Sequence, residues 1–79
     1  MAAKHQLLAE EISAKHKLSS TEYAAFITGA TSILLFLSST FDEEQLLETV
    51  DRLLIKHPGI TNALAEFTER ATMPPVLLH

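Results

Sequence analysis

An all-α fold, a compact bundle of four short helices, is what this sequence predicts, and three observations lead to it. Apolar residues recur at spacings of three and four, helix-capping residues stand at the breaks between the runs, and the clearest run has the period of an amphipathic helix and not of a strand. The chain has 79 residues, room for one domain, read as residues 1–72 with a proline-containing tail over 73–79. A domain of this size buries only about 60 % of the surface its unfolded chain exposes, so its stability margin is thin and a second subunit would widen it.

There is no cysteine, which removes disulfides and thiolate metal sites and leaves apolar packing to hold the fold. Leu, Ile, Val and Phe make up roughly 30 % of the residues, well above the level of a disordered chain.

The first helix is expected over 3–17, with Leu7, Leu8 and Ile12 as its apolar positions. It gives way at "KLSSTE", where Ser19 and Glu22 form the S-x-x-E pattern of a capping box and start a second helix that runs to about Ser39. Thr40 and Glu43 repeat that pattern for the third helix, with Asp42, Glu43 and Glu44 supplying negative charge at its N-terminus. Leu46, Leu47, Val50, Leu53 and Leu54 share one face of it, opposite Glu44, Glu48 and Asp51, and Pro58-Gly59 ends it. Thr61 is the expected N-cap of a short fourth helix whose Ile60, Ala63, Leu64, Phe67 and Ala71 line up at helical spacings. Pro74-Pro75 excludes regular helix beyond it, and the apolar Val76, Leu77 and Leu78 are expected to fold back over the bundle, with docking on another chain as the alternative.

The stretch "AAFITGATSILLFLSSTF", Ala24 to Phe41, carries no charge and is about long enough to span a bilayer. A single-span reading through 23–41 is weakened by the hydroxyls of Thr28, Thr31, Ser32, Ser38, Ser39 and Thr40. At 100° per residue, Tyr23, Phe26, Ile27, Ala30, Ile33, Leu34, Leu37 and Phe41 fall within about 120°, while Ala24, Ala25, Thr28, Thr31 and Ser32 lie outside. That asymmetry suits the central helix of a soluble bundle, with the bulky stripe in the core. Ala25 and Gly29, in a small-x-x-x-small spacing, and Ser32 would let another chain approach the opposite face, where Leu35 and Phe36 need cover. Ile55 is a comparable misfit on the acidic side of the third helix. The expected interface therefore comprises Ala25, Gly29, Ser32, Leu35, Phe36 and Ile55.

The formal charge of −4 disfavours phosphate backbones and anionic lipid and suits a basic protein partner. Residues 8–27 nevertheless have the cadence of a helix-turn-helix, through Ile12, Ser13, Leu18, Ser19, Tyr23 and Phe26. Its reading helix would expose Ser20, Thr21, Glu22, Ala24 and Ala25, with no Arg or Lys for phosphates or base edges. Within the same segment "LSSTEYAAFITGA" resembles a stretch of the Hha family, sharing Leu18, Ser19, Glu22, Ala24, Phe26 and Ala30 over thirteen residues. Those are small all-helical proteins that modify nucleoid silencing by binding a DNA-organising partner, so the resemblance implies action through protein contact. A transcriptional modulator associated with nucleic acid is the alternative function it leaves open.

Chemistry is not visible. His5, His16, His57 and His79 make no His-x-x-x-His or Glu-x-x-His pair, and His5 and His16 would be about 16 Å apart along one helix. His16 and His57 are read as closing helices 1 and 3 against exposed carbonyls, and Glu10-Glu11 and Asp42-Glu43-Glu44 as solvated charge. No glycine-rich phosphate loop or nucleophile elbow is present. The expectation is a cytoplasmic, acidic, non-enzymatic interaction module without cofactor or metal. It is expected to be a regulator, adaptor or inhibitor acting as a homodimer, with a basic heterologous protein as a further partner and neither nucleic acid nor membrane bound directly.

Overall fold

In a computed structural model, residues 3–72 form α1 (Ala3–Lys15), α2 (Ser20–Leu37), α3 (Glu43–Lys56), a 3-10 turn (Pro58–Ile60) and α4 (Thr61–Thr72), and the tail over 73–79 lies outside the described residues. Four helices with no strand among the described residues make a small all-α bundle, as the periodicity predicts. α2 is its central element: it packs against α1, α3, α4 and the 3-10 turn, while α1 lies on α4 and α3 closes on α2 and the turn.

Capping explains where the helices start and stop. Ser19 caps α2 as the sequence predicts, accepting from the Glu22 amide, while the Glu22 carboxylate accepts from the Ser19 amide at 3.0 Å. The third helix corrects the sequence reading. Its N-cap is Asp42, not Thr40, in a box with Gln45, and the Gln45 amide donates to Asp42 Oδ1 at 2.7 Å. Thr40 is instead consumed in ending α2, its amide donating to the Leu35 carbonyl at 2.8 Å and that of Ser39 to the Phe36 carbonyl at 3.0 Å. This is the Schellman pattern, and Ser39 takes the left-handed position with φ 66°. The same pattern closes α1, with Lys17 at φ 53° and the Leu18 amide on the Ser13 carbonyl at 3.2 Å. Neither site has the glycine that would announce it in a sequence.

Thr61 is the second correction, because it is helical (φ −55°, ψ −51°) and not an N-cap. Pro58 starts the turn that leads into α4, where its missing N–H costs nothing, and the Thr61 hydroxyl donates to the Pro58 carbonyl at 2.8 Å. At Gly59 the Glu22 carboxylate occupies the space that a Cβ would take, so the turn lies directly against the start of α2.

The core is built from Ala9 and Ile12 of α1, Ala25, Phe26, Ala30 and Ile33 of α2, Ile60 of the turn, and Ala63, Leu64 and Phe67 of α4. Phe26 and Phe67 meet edge to face, ring centres 6.0 Å apart at 89°. The fourth helix buries the stripe its spacing predicts. The second helix is rotated from the predicted orientation. Its buried residues are Ala25, Phe26, Gly29, Ala30, Ser32 and Ile33, an arc of about 160° centred about 80° away from the bulky stripe. Tyr23, Ile27, Leu34 and Phe41 are only half-buried and Leu37 is exposed.

The reason lies at Gly29. A Cβ on Gly29 would stand 2.9 Å from Leu64 Cδ2 and 3.4 Å from Leu53 Cδ1, so α4 and α3 both approach the bare backbone there. Helices on several sides of α2 bury its small face as well as part of its bulky one. Ser32 is buried at no polar cost, because its hydroxyl donates to the Thr28 carbonyl at 2.9 Å. α3 has no fully buried residue and contributes half-buried Leu46, Val50, Leu53 and Leu54.

A non-glycine residue in the left-handed region costs about 1–2 kcal/mol. Lys17→Gly and Ser39→Gly should therefore each raise the unfolding free energy by about 0.5–1 kcal/mol in urea titration, after glycine's greater unfolded freedom is offset. No gain at either position would show that the turns are not held as described.

Candidate interaction surface

The sequence-predicted interface residues separate in three dimensions. Ala25, Gly29 and Ser32 are taken up by the chain's own packing, so the small face they form is interior and not open to another chain in this fold. Leu35 is half-buried, and Phe36 and Ile55 are 36 % and 81 % exposed. Leu35 and Phe36 are adjacent in sequence and point about 100° apart around α2. Ile55 sits in the last turn of α3, remote from the α2–α3 junction by most of that helix, and stands as a single exposed apolar residue.

What the fold brings together is the junction itself. The Schellman turn after Leu37 and the capping box at Asp42 are four residues apart, which holds the last turn of α2 beside the first turns of α3. At this end Phe36 is joined by Leu37, 45 % exposed, and Leu47, 53 % exposed. The sequence analysis places Leu37 in the core stripe of α2 and Leu47 on the packed face of α3. Both expectations fail, for different reasons. Leu37 falls at an angle that is buried earlier in α2 but is the last residue of that helix, beyond its buried level, and Leu47 lies at the edge of the α3 stripe whose Leu46, Leu53 and Leu54 pack on the core. Glu43, Glu44 and Glu48 border Leu47 with carboxylates. Glu48 is paired with Arg52 one turn on, at 2.7 Å.

The opposite seam, between α1 and α4, carries a denser set of charges. Glu66 accepts from Lys15 Nζ at 3.2 Å and lies 3.0 Å from His16 Nε2, while Arg70 reaches Glu11 at 2.8 Å and Glu66 at 3.5 Å. Two cations and an imidazole thus converge on one carboxylate. Hydrogen bonds from His16 and then Lys15 hold Glu66 below its ordinary value of 4.5, with partial desolvation opposing them. His16 was expected to face the terminal carbonyls of α1, and the structure gives its ring an acidic partner from α4 instead. A bond between residues fifty positions apart has no local signal in the sequence.

The described histidines do not assemble a site. His5 lies beside the C-terminal half of α2, His16 is on Glu66, and His57 is the C-cap of α3. Among the described residues no three His, Asp or Glu side chains are grouped to hold a metal ion, and no buried side-chain polar atom lacks a partner. By length and composition α2 could cross a membrane, yet six of its eighteen residues are buried within the bundle.

Because folding depresses Glu66, its contribution to stability is complete above pH 4.5 and is lost as pH falls through the lowered folded value. Glu66→Gln should be less stable than the parent at pH 7, with the difference closing as the pH is taken below 4.5 in acid-side thermal melts. An unchanged acid limb would remove the network's role in tying α1 to α4. Comparison with protein-family models, curated proteins and solved structures gives no match. The likeness of residues 18–30 to the Hha family is therefore a local one, unaccompanied by a family match.

Proposed function

We propose that this chain is a small non-enzymatic protein-protein interaction module that acts as a homodimer, joined at the end of the bundle where α2 passes into α3. The observation that supports this most is the exposure of Phe36, Leu37 and Leu47 at that one end. Exposed apolar residues gathered at a single place mark an association surface more often than scattered ones do. Aromatic and aliphatic anchors of this kind carry most of the energy of an interface once water is excluded around them. A chain of this size also gains proportionately more from burying surface in a partner than a larger one.

A second reading has its own support. Asp42, Glu43, Glu44 and Asp51 bring four acids to residues 42–51 besides Glu48, which is paired with Arg52. On the other side of the molecule Lys15, Arg70 and His16 are engaged with Glu11 and Glu66. The uncompensated negative charge is thus concentrated beside the apolar end, which favours a basic heterologous protein over an anionic one. The same distribution argues against direct contact with DNA or RNA phosphates.

Light scattering in detergent-free buffer tests the homodimer. The expected mass is twice 8.7 kDa, and Phe36→Asp or Leu37→Asp should return it to that of one chain with the helical circular dichroism retained. A parent protein that remains a single chain at high micromolar concentration would contradict self-association and leave the basic partner as the reading to pursue. Loss of helicity in both variants would show these side chains to be core.

A further inference from the structure

A second unfilled surface lies on the other side of α2. A groove of about 520 Å³, open to solvent, is bounded by His5 of α1, by Thr31, Leu34, Leu35 and Leu37 of α2, and by Ala71 of α4. Its floor is largely aliphatic. Ala71 is the penultimate residue of α4, so that helix ends at the rim of this groove.

The residues that follow suit it in chemistry and in length. They read Met73-Pro74-Pro75-Val76-Leu77-Leu78-His79, apolar throughout except at the last position. Two prolines fix φ near the extended polyproline conformation and remove two backbone donors, so such a segment can lie on an apolar floor with fewer hydrogen bonds to satisfy. At about 3.1 Å per residue, Val76 to Leu78 reach about 12 to 19 Å from Thr72. The groove follows α2 from Thr31 to Ser38, a rise of about 10 Å. The aliphatic triplet can therefore be laid along its whole length.

We propose that residues 73–79 of this same chain occupy the groove, setting Val76, Leu77 and Leu78 against Leu34 and Leu35. The tether decides between the chain's own tail and that of a second copy. A segment attached at the rim presents itself at an effective concentration in the millimolar range, far above that of other copies in a micromolar solution. Phe36 does not line the groove, whereas Leu37 borders both surfaces, so the assignment is tested through the tail and through groove residues that the proposed homodimer does not use.

The absence of cysteine makes the test direct, because His79→Cys creates a unique site for a nitroxide spin label. In ¹⁵N-enriched labelled protein, the amide signals of Thr31, Leu34, Leu35 and Ala71 should lose most of their intensity and recover it when the nitroxide is reduced, while those of Asp51 and Arg52 on the outer face of α3 keep theirs. Adding Leu77→Asp to the labelled chain should restore the groove signals without disturbing the rest of the spectrum. A mixture of labelled unenriched protein with ¹⁵N-enriched unlabelled protein, both carrying Phe36→Asp so that no dimer brings a partner's label near, should show no loss at the groove. Full intensity at the groove in the labelled chain would overturn the proposal, as would loss seen in the mixture, which would place the tail on a second copy.

Discussion

The approach of Leu64 and Leu53 to the bare backbone at Gly29 is the contact on which the rest of this bundle depends. It brings α4 and α3 against α2 at one level, and it fixes the rotation of α2 about its axis. Once that rotation is set, Phe26 is directed at Phe67 and Ser32 is enclosed with its hydroxyl on its own helix. Close packing leaves no freedom to satisfy these separately, since interiors are as dense as organic crystals and a missing side chain on one helix is filled by a longer one on its neighbour.

The two exposed apolar surfaces have different origins: Leu34 and Leu35 lie outside the buried arc of α2, whereas Phe36 and Leu37 lie within it but at the helix end. On one side of α2, Phe36 and Leu37 are left at an end of the bundle bordered by the acids of α3. On another, Leu34 and Leu35 floor a groove that α1 and α4 do not close. The charges divide likewise: the seam between α1 and α4 gathers its cations around Glu66, and α3 keeps most of the surplus negative charge. The apolar end thus lies beside the acids of α3, while in the seam between α1 and α4 cations and carboxylates are paired.

Local features of the fold were legible in the sequence, and features set by more than one helix were not. Ser19 with Glu22 reads directly as a cap because both bonds are made within four residues. The stripe from Ile60 to Ala71 is legible because α4 is packed from one side and its periodicity records that. Asp42 was missed in favour of Thr40 because a Schellman turn at Ser39, with no glycine to mark it, uses the Thr40 amide for the preceding helix. The orientation of α2 was missed because hydropathy ranks Ile27 and Leu34 above Gly29, whereas the structure buries whatever lets its neighbours approach. His16 and Glu66 were missed as a pair because only the tertiary fold brings them within reach.

The interior placement of the small face of α2 is tested most directly by a double-mutant cycle between Gly29→Ala and Leu64→Ala, followed by urea unfolding. Alanine favours a helix over glycine by about 1 kcal/mol, a gain that overpacking against Leu64 should cancel or reverse in the parent. With Leu64→Ala in place the methyl has room, so Gly29→Ala should then be stabilising, and the coupling between the two sites should be about 1–3 kcal/mol. Strict additivity, with Gly29→Ala equally stabilising in both backgrounds, would mean that Gly29 does not face α4 and that the small face of α2 is open to another chain after all.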